Sequence, residues 1–205
     1  MIRRSVFVYI AAIVLLLCGI VLPEILGASR SDYSSLANYI SELGADGTST
    51  QRLTNTLLFP MVGISLIAIL IALWHRLPER AAIRAGLVCL GLGLALAYLG
   101  AAIFPCDYGC PIDGSPKQNT HNLLALIQYP MGVIGFALLG LNLKEKPLWR
   151  WAFVTAAAAM AFGFVLMLQP EQAGLRGFWQ RLGDYMAFMT LIGVVISTQP
   201  HLQKS

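Results

Sequence analysis

Residues 57–74 read LLFPMVGISLIAILIALW, an apolar stretch that contains no charged side chain. An α-helix crosses the hydrocarbon core of a bilayer with about 20 consecutive apolar residues. The stretch therefore predicts a transmembrane helix. Pro60, near its start, removes a backbone donor and predicts a kink there.

The composition of the whole chain extends this prediction to other segments. The chain has 205 residues, of which 57% are hydrophobic and only 12% charged, whereas soluble domains carry about 25% charged residues. The sequence therefore predicts an all-α fold, a polytopic membrane protein whose single domain, residues 1–205, is a bundle of six transmembrane helices. The predicted spans are residues 6–22, 57–74, 85–104, 122–141, 151–168 and 175–196.

The basic residues predict an orientation, because short loops rich in Lys and Arg are retained in the cytoplasm. Nine of the 14 basic residues but only two of the ten acidic residues fall on one side. We therefore expect a multi-pass protein of the inner or plasma membrane with cytoplasmic N- and C-termini. The excess of basic residues is explained by contact with anionic lipid, and no nucleic-acid partner is predicted. The nine are Arg3, Arg4, Arg76, Arg80, Arg84, Lys144, Lys146, Arg150 and Lys204.

The first extracytoplasmic connection, residues 23–56, is much longer than the cytoplasmic turns at 75–84 and 142–150. Its apolar residues Leu36, Tyr39, Ile40 and Leu43 recur with helical spacing. The spacing predicts a short interfacial helix over residues 35–43.

Small residues recur every four positions in two of the predicted helices. Such stripes let helix backbones approach closely in lipid. They favour packing within the bundle, with a homo-oligomer interface as the alternative. The residues are Cys89, Gly93, Ala97 and Ala101 in the third helix and Thr155, Ala159 and Gly163 in the fifth.

Two of the four cysteines, Cys106 and Cys110, flank a three-residue turn on the extracytoplasmic side. In an oxidising compartment this spacing favours a disulfide. Free thiols and a metal site with Asp107 and His121 as further ligands are the alternatives. The metal site is the weaker of these, because zinc pairs usually occur with a second ligand pair. No cofactor is predicted.

Ionisable residues gather at the extracytoplasmic ends of the helices. Three interpretations stay open: solvated interfacial groups, a structural network that fixes the long first loop to the bundle, and a ligand or catalytic site. Arg181 and Asp184 are three residues apart and can pair on one helix. We also expect Glu42, His121 and Arg181 to lie within hydrogen-bonding reach of one another. The full set is Glu24, Glu42, Asp107, Asp113, His121, Arg181 and Asp184.

Four short motifs resemble a family of bacterial and archaeal membrane proteins labelled domain of unknown function 998. They are Ile40-Ser41-Glu42-Leu43-Gly44-Ala45, Phe104-Pro105 followed by Asp107, His121-Asn122, and Gly177 with Arg181. The resemblance spans nearly the whole chain and implies a six-helix bundle. It implies shared polar residues at Ser41, Glu42, Asp107, His121 and Arg181, but no activity.

Three functions remain open from the sequence. The favoured one is non-enzymatic binding of a membrane lipid, small ligand or partner at an extracytoplasmic polar pocket, where Arg181 would meet an anionic headgroup. The second is a membrane-embedded lipid hydrolase or transferase with His121 as the candidate catalytic residue, beside Asp107 and Glu42. Ser41 would be the nucleophile, although no nucleophile-turn motif supports it. The third is a small-molecule transporter, for which Gln128 and Tyr129 are the best polar residues within the helices.

Overall fold

A computed structural model of the protein describes residues 2–198 and the side chains of residues 6–198. Within this range the chain is helical, with six long helices and no β-strand. The predicted all-α six-helix fold is thus confirmed. The side chains of Arg3 and Arg4, and the segment 199–205 with Lys204, lie outside the described part, as do both chain ends.

Five of the helices are long and apolar enough to cross a membrane. They are α1, Val6–Ala28, whose helical backbone already begins at Ile2; α2, Gln51–Trp74; α3, Ala81–Ile103; α4, Pro116–Asn142; and α5, Pro147–Met167. The sixth, α6, Arg176–Ser197, has 22 residues. It is more polar in its first half, which contains Arg181 and Asp184, but it packs along α5 and α1 within the bundle.

Three of these helices contain a π-helical turn, at Leu17–Val21 in α1, Thr54–Leu58 in α2 and Gly91–Ala95 in α3. A π-helical turn accommodates one extra residue and is frequent near functional sites. Pro60 follows the second turn and offers no N–H to the preceding helical turn, which accounts for the widening at this point.

The two ends of the bundle differ in their connections. At the basic end the loops 75–80 and 143–146 are short and carry Arg76, Arg80 and two lysines. Arg76 donates to the carbonyl oxygen of Val195 at 3.0 Å, and Arg80 pairs with Glu145 at 3.2 Å. The opposite end, here called the long-loop end, consists of segments 29–50, 104–115 and 168–175.

The long loops are joined to each other and to the helices by hydrogen bonds. Asp46 N–H donates to the carbonyl oxygen of Cys106 at 3.0 Å. Asp32 accepts from Arg30 at 2.7 Å and from the hydroxyl of Tyr108 at 3.0 Å. The Arg30 guanidinium lowers the pKa of Asp32 to about 2. The first two long loops are therefore hydrogen-bonded to each other across this end of the bundle.

Three of the helices extend beyond the predicted spans at this end. The first span, predicted to end at 22, continues to Ala28, and the second and fourth begin six residues earlier than predicted, at Gln51 and Pro116. In α4 the cause is local, because the Ser115 hydroxyl accepts from the N–H of Gln118 and Pro116 occupies the first turn. Polar first turns of this kind carry no hydropathy signal.

The helix predicted over residues 35–43 needs correction. The structure has turns over 34–38 and a 3-10 helix at Ile40–Gly44. Tyr39 has extended backbone angles, with ψ of 151°, and this separates the two parts. Ile40 and Leu43 are buried, so this part of the first long loop packs onto the bundle, as expected, although not as an α-helix.

The predicted stripes of small residues lie where helices approach closely. A Cβ atom at Gly93 would lie 3.0 Å from the carbonyl oxygen of Gln128 in α4, and one at Gly163 would lie 2.5 Å from that of Trp179 in α6. At these glycines the stripes therefore serve packing within the chain. A homo-oligomer stays a prediction.

Candidate functional site

Helix α6 carries two polar groups of residues, one turn apart. The arginine cluster is defined by Arg181, its partners Glu24, Tyr33 and Asn38, and Tyr185, which bonds to Glu24. The aspartate cluster is defined by Asp184 with Tyr98, Gln128 and Tyr129.

Arg181 is surrounded by acceptors of the protein itself. Its Nε donates to Glu24 at 2.7 Å, and Nη2 donates to the Tyr33 hydroxyl at 2.7 Å. Nη1 donates to the carbonyl oxygens of Asn38 at 3.0 Å and Gly177 at 3.1 Å. A guanidinium has five N–H donors, so four are in use, and the residue is only 7% exposed.

Glu24 completes the arginine cluster from α1. Its carboxylate accepts from Ser35 at 2.7 Å and from the hydroxyl of Tyr185. Ser35, Tyr33 and Asn38 all belong to the first long loop. The cluster therefore fixes this loop to α1 and α6.

Gly177 allows the first long loop to lie directly on α6. A Cβ atom there would lie 2.2 Å from the carbonyl oxygen of Asn38 and 2.6 Å from that of Ser35. One residue further on, Phe178 N–H donates to the carbonyl oxygen of Leu36 at 2.9 Å. Only a residue without a side chain fits beneath the loop at this position.

These contacts correct two expectations about Arg181. It does not pair with Asp184, because its partner is Glu24. Its guanidinium is also committed to protein acceptors, which leaves a single N–H for an anionic headgroup. Of the three interpretations of the polar residues, a structural network describes Arg181 best.

Glu42 and Asp107 also make local contacts. Glu42 accepts from the backbone N–H of Tyr39 at 2.8 Å and from the Asn38 side-chain amide at 2.7 Å, and so caps the 3-10 helix. Asp107 accepts from both the N–H and the hydroxyl of Ser115 at 2.8 Å. These bonds lower the pKa of Asp107, and they order the turn that precedes α4.

The expected convergence of Glu42, His121 and Arg181 is wrong for the described residues, since none of the three hydrogen-bonds to another. His121 is 8% exposed, and its Nδ1 lies 2.9 Å from the carbonyl oxygen of Phe104. Neither Glu42 nor Asp107 bonds to it. Asp113 lies exposed in the second loop.

The aspartate cluster is buried completely. Asp184 is 0% exposed, and it accepts from the Tyr98 hydroxyl at 2.8 Å and from the Gln128 amide at 3.2 Å. The Tyr129 hydroxyl is buried beside Gln180 and Asp184 and meets hydrogen-bond geometry with neither. Both donors to Asp184 are uncharged groups.

A cavity of about 320 Å³ lies beside the aspartate cluster, between α2, α3, α4, α5, α6 and the long loops. Most of its wall is apolar, and all four residues of the aspartate cluster contribute to it. Leu126 and Leu168 line the cavity and are 52% and 58% exposed, so it reaches the lipid-facing surface of the bundle. The apolar lining includes Phe59, Ala97, Ala101, Leu124, Phe164 and Met167.

Cys106 and Cys110 are joined by a disulfide at the loop side of this cavity. Gly109 has a positive φ of 76°, as a tight turn between the two cysteines requires. Cys110 Sγ lies 3.5 Å from the Ser41 hydroxyl, and Ser41, Cys110 and His121 all line the cavity. The possible metal-ligand atoms of Cys106, Cys110 and His121 lie within 4.8 Å of one another. Because thiolates are the ligands, these residues could hold a metal only after reduction of the disulfide.

Sequence reasoning placed Ser41, His121 and Asp184 among the site candidates, and these three line the cavity. It named Gln128 and Tyr129 only for transport. It missed Tyr98, because a single tyrosine within an apolar helix gives no signal of its own. The spacing of His121, Ala125, Gln128 and Tyr129 along one face of α4 was the available clue.

Comparison with known proteins gives one match. The family model described as protein of unknown function, DUF998, matches residues 9–197. No curated protein and no solved structure matches the chain. The match covers most of α1, the other five helices and both polar clusters, and the chain belongs to the DUF998 family of integral membrane proteins.

Proposed function

We propose that this protein binds an amphiphilic ligand, a membrane lipid or a molecule of similar build, in the cavity beside Asp184. The observation that carries the proposal is the construction of the cavity. It combines an apolar wall that reaches the lipid-facing surface with a buried polar group at one side.

The size and position of the cavity support this proposal. Ligand pockets commonly measure about 300–1,000 Å³ and combine apolar walls with a few polar groups. A hydrocarbon chain can enter past Leu126 and Leu168 without passing through water. Its polar group would then lie among Tyr98, Gln128 and Asp184.

We propose further that the long-loop end faces the extracytoplasmic side. The basic residues near Arg76, Arg80 and Lys144 favour retention of the opposite end in the cytoplasm. A disulfide between Cys106 and Cys110 is also typical of an oxidising compartment. A ligand would then enter from the outer half of the membrane.

The test is native mass spectrometry of the protein extracted with its membrane lipids, compared with two substitutions. Ala101→Phe places a ring in the cavity, whereas Ala158→Phe places one on the exposed face of α5. We expect lipid adducts on the natural protein and on Ala158→Phe, and at least a tenfold loss of adducts, on the order of 1.4 kcal/mol, for Ala101→Phe. Equal adducts on both variants would place the bound lipid elsewhere and contradict the proposal.

A further inference from the structure

We infer that the cavity selects an amphiphile with a positively charged head, an amine or quaternary ammonium group. The inference rests on the proposed function and adds the charge of the ligand. It follows from the charge balance around Asp184 and from the residues that line the cavity.

Asp184 has no cationic partner in the described part of the chain. Arg181, one turn earlier on α6, is paired with Glu24. Its other donors bond to Tyr33 and Asn38 in the first long loop and to the carbonyl oxygen of Gly177. The two groups that donate to Asp184, from Tyr98 and Gln128, are neutral. Together Glu24, Arg181 and Asp184 therefore carry one negative charge in excess when both acids are ionised.

When Asp184 is ionised, its charge acts strongly on whatever occupies the cavity. Isolated carboxylates are costly to bury, and charges in a medium of low dielectric constant interact strongly over several ångströms. Tyr98 and Gln128 are only 6% and 8% exposed, so little water screens Asp184 from the cavity. A cation in the cavity would supply the missing charge.

The cavity wall has the other features of an ammonium site. Aromatic faces attract cations, and Tyr39, Phe59, Tyr98, Tyr129 and Phe164 all contribute to the lining. The rings of Tyr129 and Phe164 stack with centroids 5.0 Å apart. The buried hydroxyl of Tyr129 has no hydrogen-bond partner among residues 6–198, and it can accept from an ammonium N–H.

The same lining disfavours an anionic head. Of the residues that the structure describes, no lysine or arginine contributes to it, and His121 is the one basic side chain in the lining. A phosphate or carboxylate in this cavity would face Asp184 without a compensating cation. The negative charge of such a head and that of an ionised Asp184 would repel each other.

The experiment compares two probes of equal chain length, decylamine and decanol, titrated against the purified protein in a neutral detergent and followed by native mass spectrometry. We expect decylamine to bind at least about tenfold more tightly than decanol. Asp184→Asn should remove this preference while decanol binding persists, which shows that the cavity is intact. The matched control is Asp32→Asn, which removes an exposed charge at the same end and should keep the preference.

The outcomes separate the inference from the proposed function. Equal binding of both probes, with both excluded by Ala101→Phe, would overturn the charge selectivity and leave the proposed function standing. Failure of both probes to bind would overturn the proposed function. A preference for decylamine that survives in Asp184→Asn would overturn the assignment to this carboxylate.

Discussion

The arginine cluster and the aspartate cluster lie one turn apart on α6, and they differ in the partners of their buried ionisable group. Arg181 has a carboxylate, a hydroxyl and two carbonyl oxygens around it. Asp184 has two neutral donors and a cavity beside it. Buried charges are usually paired. Because Arg181 is paired within the protein, a structural role is sufficient to explain why it is buried here.

This difference indicates which of the two clusters is the better candidate for a ligand site. The first cluster fixes a loop to two helices and leaves at most one N–H for a ligand. The second leaves a carboxyl group without a cationic partner among the described residues, next to space that a molecule can occupy. A residue that is fully used by the protein is a poor ligand-binding candidate, however prominent it is in the sequence.

The strongest way to break the first cluster is Arg181→Ala. It removes the cation that Glu24, Tyr33 and Asn38 share, and it releases the first long loop from α6. We expect the free energy of unfolding to fall by about 3 kcal/mol, the lower end for loss of one partner of a buried pair, because the Glu24 side chain is 41% exposed. Unfolding by SDS from mixed micelles, followed by circular dichroism, measures the change.

The control for this prediction is Arg80→Ala at the basic end. Arg80 also pairs with a glutamate, Glu145, but both side chains are more than 40% exposed. Exposed pairs contribute about 0–1 kcal/mol. Similar losses for the two substitutions would contradict a structural role that is special to Arg181.

A second prediction tests the loop contact without changing a charge. Gly177→Ala places a methyl group against the carbonyl oxygens of Asn38 and Ser35, and such overpacking typically costs about 1–3 kcal/mol. Gly193→Ala, in the same helix, meets no atom within 4 Å and should stabilise the protein by about 0.5–1 kcal/mol. Thermal unfolding in one detergent compares the pair, and a shift of the same sign in both would contradict the proposed contact.

The fold could be predicted from the sequence because its signal is local. An apolar stretch such as residues 57–74 is long enough to span the bilayer whatever surrounds it. The ends of the helices were harder to predict from the sequence, since the first turns of α2 and α4 are polar and are ordered by caps such as Ser115. The 3-10 helix at Ile40–Gly44 was missed for a related reason, because hydrogen bonds such as those from Tyr39 N–H to Glu42 and from Ile40 N–H to Gln180, and not helical spacing, hold the backbone there.

The site could be predicted only in part, because its geometry depends on partners far apart in the chain. Arg181 and Asp184 have the spacing of a helical pair, yet the partner of Arg181 is Glu24, 157 residues earlier. Spacing along one helix shows which pairs can form, but it does not show which acceptors another helix or loop brings closer. The same reason explains why Tyr98, the closest donor to Asp184, escaped notice.

The smallest expected effect gives the sharpest comparison, because the same chemical change is made in both clusters. Glu24→Gln removes the charge that compensates Arg181, and loss of a hydrogen bond to a charged group costs about 1.5–3 kcal/mol. Asp184→Asn removes a carboxyl group that has no cationic partner in the part of the chain that the structure describes. The Tyr98 hydroxyl can rotate and the Gln128 amide can flip to bond to the new amide. We therefore expect the free energy of unfolding to change by less than about 1 kcal/mol, with either sign.

SDS unfolding of the two variants side by side measures the difference. A loss for Asp184→Asn as large as that for Glu24→Gln would mean that Asp184, too, is architecture, since a charge kept for a ligand contributes little to the stability of the empty protein.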